Sequence, residues 1–374
     1  MKQINSWILA PAVLAVTILC AWGFSFWIAG CASTIRGEID TTTTVTTSTY
    51  KGPSASTTTS SSSTTSKPGI PPTTTTTTVP VAVWIEQTPS AAFSSREGHT
   101  SLVNNGKLWV IAGGTSMVPY KNDVWYSTDG TNWFLSTAEA AFTGRKYSAS
   151  VVFNSRLWVI GGYTHTGSGR DGNDVWSSSD GVTWELATAE AGFSGRSGHA
   201  AIVFNNRIWL IGGASFESGG FNYRLNDVWS SPDGVSWTRE VAAAPFGPRA
   251  EHTCLVYDNK IWVIGGFAGA LFLHDVWSSS DGKNWNAATN SAAFSGRGGH
   301  ASVIYNNKMW VIGGDAGSTP FQNDAWSSLD GMLWTQEAYP GFSGRRYLTG
   351  VVSDKIRIIG GYSYSEKNDV WLSP

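Results

Sequence analysis

Hydrophobic and polar positions divide the chain into three stretches. Behind Lys2, residues from about Trp7 to Gly30 are almost all apolar. From 41 to 80 they are mostly Thr and Ser, interrupted by Pro53, Pro68, Pro71, Pro72 and Pro80. From 81 onward short apolar runs alternate with polar marks built from Asn, Asp and Gly. Short runs rich in Val, Ile, Trp and Tyr, bounded by turn formers, predict strands and hairpins.

Three marks recur in fixed order. An apolar run closes on two glycines at 113–114, 161–162, 212–213, 265–266, 313–314 and 360–361. Asn-Asp-Val-Trp or a close variant follows, ending at Trp125, Trp176, Trp229, Trp277, Trp326 and Trp371. Asp-Gly-x-x-Trp follows that, ending at Trp133, Trp184, Trp237, Trp285 and Trp334. Region 81–374 thus holds six units of about 49 residues, a repeat length that signals a propeller or solenoid. Each unit predicts four strands, as at 199–203 (a), 207–211 (b), 227–230 (c) and 236–239 (d). The a–b turns (Asn205-Asn206) and the Asp-Gly of the c–d turns suit residues at positive φ. The fold class expected is all-β: a six-bladed β-propeller of four antiparallel strands per blade. After Trp371 only Leu372-Ser373-Pro374 remain, so the sixth unit lacks its strand d. Val83-Trp84-Ile85-Glu86 matches that strand in other units, so an N-terminal strand at 82–87 is expected to close the last blade.

The di-glycine after an apolar strand, the spaced tryptophans and the Arg-x-Gly-His start (Arg96 to His99) resemble Kelch repeats across essentially all of 81–374. The pattern is also similar to bacterial proteins grouped with the galactose oxidase central domain. The resemblance is specific for fold and weak for function, because propellers host many activities.

Composition narrows the classes. Forty-two glycines and twenty tryptophans disfavour a helical protein. A net charge of −2 with 14% charged residues gives no electrostatic case for nucleic-acid binding. The basic start and apolar stretch follow the plan of a secretory signal over 1–30. It ends in Ile28-Ala29-Gly30-Cys31, which resembles the lipobox of bacterial lipoproteins and implies lipidation at Cys31. The alternative is an uncleaved membrane anchor. Either places the domain outside the cytoplasm, in the cell envelope and tethered to a membrane. Residues 31–80 read as a solvated linker, too polar to offset chain entropy. Cys254 is then the one thiol of 81–374 and is expected to pack as a small hydrophobe.

Most chemistry-bearing residues are repetitive. Arg96, Arg145, Arg196, Arg249, Arg297 and Arg345 recur once per unit and are expected as a ring at the channel mouth. Such a ring can grip carboxylates, but its repetition favours interblade ion pairs or backbone caps. His99, His199, His252 and His300 follow three residues after their arginines, a position expected to be packed, with no metal and no cofactor. Asymmetry concentrates in the b–c loops at 115–121, 163–172, 214–225, 267–273, 315–322 and 362–367. Loops on a rigid scaffold commonly carry binding. The ligand-binding candidates are Phe216, Glu217, Phe221, Tyr223 and Arg224, with His165, Arg170, Phe272, Phe321 and Tyr364. The expected function is a monomeric, envelope-tethered recognition or scaffold domain for a protein or polysaccharide. The alternative is a carbohydrate-active Kelch enzyme, similar to sialate mutarotases, using Glu97, Glu251 and the arginines. Copper chemistry of the galactose oxidase kind lacks its Cys–Tyr and Tyr–His partners here. Ser-x-Asp-Gly-x-x-Trp resembles the sialidase Asp-box, one residue short, and is structural there too.

Overall fold

The computed structural model describes residues 83–117, 119–165, 170–216, 222–317 and 321–374. The signal-like stretch, Cys31 and the Thr/Ser-rich run lie outside the described residues, as do Glu217 and Phe221.

Six antiparallel sheets are arranged around one axis. Their innermost strands are Thr100–Asn104, Ala149–Phe153, Ala200–Phe204, Thr253–Tyr257, Ala301–Tyr305 and Thr349–Val352. Each touches the next, and the first touches the last, so the ring is closed. Five blades take strands a to d in chain order. The sixth takes its outer strand from Ile85–Thr88, which pairs antiparallel with Glu366–Leu372 through Ile85↔Leu372 and Glu86↔Trp371. Trp84 buries its ring edge-on against Phe342, 6.2 Å away. The closing strand thus forms where the Trp-containing motif required, beginning slightly later than 82.

Apolar cores lie between blades. One contains Trp109, Ile111 and Val124 of blade 1 with Leu157, Val159 and Trp184 of blade 2. Full burial of each such side chain contributes about 1.5–3 kcal/mol. Cys254 packs in the corresponding core between blades 3 and 4, and burial pushes its thiol pKa up. The Asp-Gly turns lock these seams. Gly181, Gly234 and Gly282 sit at φ of 75°, 78° and 74°. A Cβ on any of them would lie 2.2 Å from the strand-b tryptophan of the preceding blade. Only glycine satisfies both the backbone and that approach. In each turn the aspartate accepts the next two or three backbone N–H groups, as Asp180 does from Val182 and Thr183 at 2.8 Å.

In blades 2, 3, 4 and 6 the di-glycines do not end strand b, contrary to the sequence reading. They form a bulge: register shifts between Ile211 and Gly213, and pairing resumes out to Phe216↔Asn222. Blade 2 likewise pairs Thr164 with Arg170. Two of the expected loops are therefore mostly β-ladder. Arg170, Phe216, Tyr223 and Arg224 stand on rigid hairpin extensions rather than on irregular loops. Blade 2 also gains a short extra strand, Arg145–Lys146, along Tyr163–Thr164.

Candidate functional site

The six arginines are not available at the channel mouth, and that expectation is corrected here. All six are at most 1% exposed. Arg196 illustrates the reason. Its Nη1 and Nη2 donate to the Asp227 carboxylate at 2.7 and 2.9 Å, and Nη1 also donates to the Gly212 carbonyl. Its guanidinium lies 5.5 Å from the Phe193 ring, and that ring meets Trp237 edge-on at 5.1 Å. Its main chain meanwhile donates to Gly172 and accepts from Gly162 of the preceding blade. Each arginine thus joins its own blade by the side chain and the previous blade by the backbone. Burial alone would raise the Asp227 pKa, but the Arg196 hydrogen bonds outweigh it and hold the carboxyl below the usual range.

The asymmetry lies one and two residues later. Two residues after each arginine stand Gly98, Tyr147, Gly198, Glu251, Gly299 and Tyr347, at φ between 54° and 62°. These six backbones form a belt at the axis. Tyr147 N–H donates to Gly98 O, Gly198 to Tyr147 O, Glu251 to Gly198 O, Gly299 to Glu251 O and Tyr347 to Gly299 O, all at 2.7–2.9 Å. Glycine holds this left-handed conformation without strain, whereas tyrosine and glutamate do so at a cost of about 1–2 kcal/mol each. Strain of this kind gathers at functional sites.

The three strained side chains converge. The Tyr147 and Tyr347 rings approach to 4.8 Å. Tyr347 Oη donates to Glu251 Oε1 at 3.0 Å, and Tyr147 Oη donates to Glu97 Oε1 at 3.2 Å. Lys146 Nζ pairs with Glu97 at 2.5 Å, both buried. Arg346 pairs with Asp315 at 2.9 Å and stacks near Phe321, Tyr347 and Tyr362. Burial is the dominant influence on Glu251 and raises its pKa above the ordinary carboxyl range. Burial raises both tyrosines as well.

Beneath the tyrosines is an axial cavity of about 120 Å³ lined by His99, His199, His252 and His300. His99 and His300 bond Thr349 and Thr253 hydroxyls at 2.9 Å. Among the described residues no group of side chains is arranged to hold a metal ion.

Beside the belt, between blades 2, 3 and 4, opens a pocket of about 280 Å³. Its walls include Tyr147, Tyr163, Phe216, Asp171, Arg224 and Glu251. Phe216 N–H donates to Asp171 Oδ2 at 2.6 Å, and the Arg224 guanidinium lies 5.2 Å from the Phe267 ring. Burial raises the Asp171 pKa. Aromatic faces can stack on the apolar side of a sugar or a side chain. Two carboxyls and a guanidinium can hydrogen-bond its polar edge.

Of the sequence candidates, the structure brings Phe216 and Arg224 together in this pocket, with Phe272 packing on Phe267 at 4.8 Å. Phe321 and Tyr364 pair at 5.6 Å in a separate cluster around Arg346. His165 and Arg170 are exposed, with His165 6.1 Å from Tyr120. Tyr223 is 53% exposed. Tyr147, Tyr347, Lys146 and Arg346 were passed over in the sequence. Their signal was present: Tyr147 and Tyr347 replace the glycine of an Arg-x-Gly-His start, and Lys146 and Arg346 occupy its variable position.

A closed ring of six antiparallel sheets built from one repeat defines the class, a six-bladed β-propeller, and the repeat is similar to Kelch repeats. The family model described as the KLHDC2/KLHL20/DRC7 Kelch-repeats domain matches residues 232–373. The tag-53 protein of Caenorhabditis elegans is 32% identical over 74 residues, 20% of this chain and 5% of that protein. The flagellar outer-arm dynein alpha chain of Chlamydomonas reinhardtii is 35% identical over 107 residues, 26% of this chain and 2% of that protein. The chain therefore spans only a small fraction of the length of these curated relatives. The solved structure titled "Structure of YjhT" superposes with a TM-score of 0.62 at 17% identity, over 77% of this chain and 97% of its own. At that identity the likeness speaks to fold alone.

Proposed function

We propose that the propeller is a recognition domain that binds a polysaccharide or protein ligand through its b–c hairpin face, with the pocket beside the belt holding the ligand's most protruding group. The observation that carries this reading is the retention of Tyr147, Glu251 and Tyr347 at φ of 56°, 60° and 54°, where three sister blades keep glycine. The belt hydrogen bonds run through glycine and non-glycine positions alike, so we read these side chains as serving the pocket that Tyr147 and Glu251 line. The chain enters the ring at Val83 on the opposite, turn-bearing face, which suits display on an envelope tether through Cys31. The test is a broad glycan array with the purified protein beside Phe216→Ala and Arg224→Ala. Saturable binding lost in both variants at unchanged melting supports the pocket. Undiminished binding by both refutes it.

The second reading, a carbohydrate-active enzyme, has one observation in its favour. Glu251 is a buried carboxyl with a raised pKa, hydrogen-bonded to a tyrosine at the pocket wall. Such a group can exchange a proton with a bound sugar. Turnover of an array-positive sugar, abolished in Glu251→Gln, distinguishes it from binding alone.

A further inference from the structure

The wall of the axial chamber is built from two positions per blade, three and four residues after each buried arginine. Around half of the axis these positions satisfy one another. His300 bonds the Thr253 hydroxyl of the preceding blade, and His99 bonds that of Thr349, both at 2.9 Å. Each threonine is bonded in turn to a serine of the same neighbouring blade, Thr253 to Ser302 at 2.6 Å and Thr349 to Ser101 at 2.7 Å. The seam between these two is matched without polar groups, since Ala301 and Leu348 share one apolar core.

The other three seams are consecutive, and none is matched. Their corresponding pairs are Thr100 with Ser148, Ala149 with His199 and Ala200 with His252. Where His300 has a threonine hydroxyl, His199 and His252 have only an alanine methyl. Among the described residues, neither nitrogen of His199, neither nitrogen of His252 and not the Ser148 hydroxyl has a hydrogen-bond partner. The Ile160 carbonyl beside His199 and the Ile211 carbonyl beside His252 do not complete bonds with them. The three residues are 5–7% exposed and line the chamber together. Buried polar groups are hydrogen-bonded as a rule, so a cluster of orphans on one side of a cavity points to an occupant.

The chemistry of the orphans selects that occupant. Burial pushes the His199 pKa down to about 3 and that of His252 well below 6.5, so both rings are neutral at neutral pH. A neutral imidazole offers one donor and one acceptor, and a serine hydroxyl also does both. Another hydroxyl complements each of them. A carboxylate can only accept and an ammonium can only donate. The chamber of about 120 Å³ has room for several molecules the size of water, each of which needs roughly 10–15 Å³. We propose that Ser148, His199 and His252 form a site for uncharged hydroxyl-bearing molecules, either ordered water or a small polyol. Tyr147, Gly198 and Glu251, one residue before each, wall both this chamber and the pocket above. The site stands whether or not a ligand enters that pocket.

Imidazole nitrogen resonances of the full chain, labelled in histidine, test this at neutral pH. His199 and His252 are assigned from His199→Gln and His252→Gln. In buffer both rings should show the shifts of hydrogen-bonded neutral imidazoles and cross-relaxation from long-lived water. Glycerol is then titrated in, with sodium acetate and methylammonium chloride as charged controls. A saturable shift of His199 and His252 with glycerol, with His99 and His300 unmoved, identifies a polyol site. Water cross-relaxation without a glycerol response supports the site and assigns it to water. Ala149→Thr gives His199 the hydroxyl that Thr253 gives His300, so it should weaken the water signal at His199 and leave that of His252. Ala200→Thr does the converse and serves should Ala149→Thr fail to fold. Rings with the shifts of unbonded imidazoles and no response to water or glycerol overturn the proposal. So does a larger shift with either ion than with glycerol, or a water signal that neither folded threonine variant changes.

Discussion

Glu251→Gly separates a functional residue from a structural one. Glu251 is half-buried beside the axis at φ 60°, and its Oε1 accepts from Tyr347 at 3.0 Å. Glycine releases about 1–2 kcal/mol of left-handed strain. It also removes a carboxyl whose ionised form burial disfavours. Against this, the Tyr347 hydroxyl loses its acceptor, which costs about 1–3 kcal/mol where water cannot replace it. Added freedom of the unfolded chain costs roughly 0.5–1 kcal/mol more. The terms nearly cancel, so the net change should stay within about 1 kcal/mol, a melting shift of no more than about 4 °C. The control is Gly198→Ala in the same belt, at φ 60° with its nearest neighbour 3.4 Å from the new Cβ. It adds strain without a clash and should cost about 1 kcal/mol. Thermal and denaturant unfolding read the stability, and titration with an array-positive glycan reads binding, which should weaken at least tenfold in Glu251→Gly. A loss above about 3 kcal/mol, the scale of a broken core, with binding intact, would refute the assignment of Glu251 to the site.

Three further outcomes follow from the seams and the axis. Gly234→Ala places a methyl 2.2 Å from the Trp158 ring at φ 78°; it should cost about 3 kcal/mol or more, and a calorimetric melt within a degree of the parent would contradict the packing. Arg196→Ala leaves Asp227 part-buried without its bidentate partner and should cost about 3–5 kcal/mol; adding Asp227→Asn should recover part of that, and strict additivity of the two losses would contradict direct pairing. Burial, aided by the neighbouring arginines, pushes His99, His199 and His300 down to about 3 from 6.5, and His252 falls well below 6.5. A lowered folded pKa contributes stability that is fully present above pH 6.5 and is lost as pH falls toward 3. Each histidine adds up to about 1.4 kcal/mol per pH unit in that window, so denaturant midpoints should drop steeply from pH 6.5 to 4.5, and a flat profile would sink the reading.

The fold was legible because the repeat states the same physics six times. Trp84 betrayed the closing strand by sharing the spacing of Trp133 and Trp184, and the pairing with Glu366–Leu372 follows from that alone. The hairpin extensions were not legible. Gly212-Gly213 reads locally as a strand end, and only the pairing of Ser215 and Phe216 with Tyr223 and Asn222 beyond it shows it to be a bulge. The repetition of the arginines pointed to ion pairs or backbone caps, though between blades rather than within each. The geometry turns each guanidinium into its own blade, because Asp227 and its counterparts outbid solvent for it. The pocket joins residues of three blades, such as Tyr163, Arg224 and Glu251. No local pattern could place them together.

The repeat also supplies its own control for function. A feature found in every blade, such as the Arg–Asp pair, must be explained by what every blade needs, which is to join its neighbour. A feature found in some blades carries information about a ligand only if the blades without it are equally well joined. The belt meets that condition. Gly198 and Gly299 each donate and accept a belt hydrogen bond, as Tyr147 and Glu251 do. The side chains at Tyr147, Glu251 and Tyr347 add contacts across the axis that the glycines do without, and they carry strain that the glycines avoid. That is why the ligand site is placed at the belt, where Tyr147 and Glu251 line the pocket.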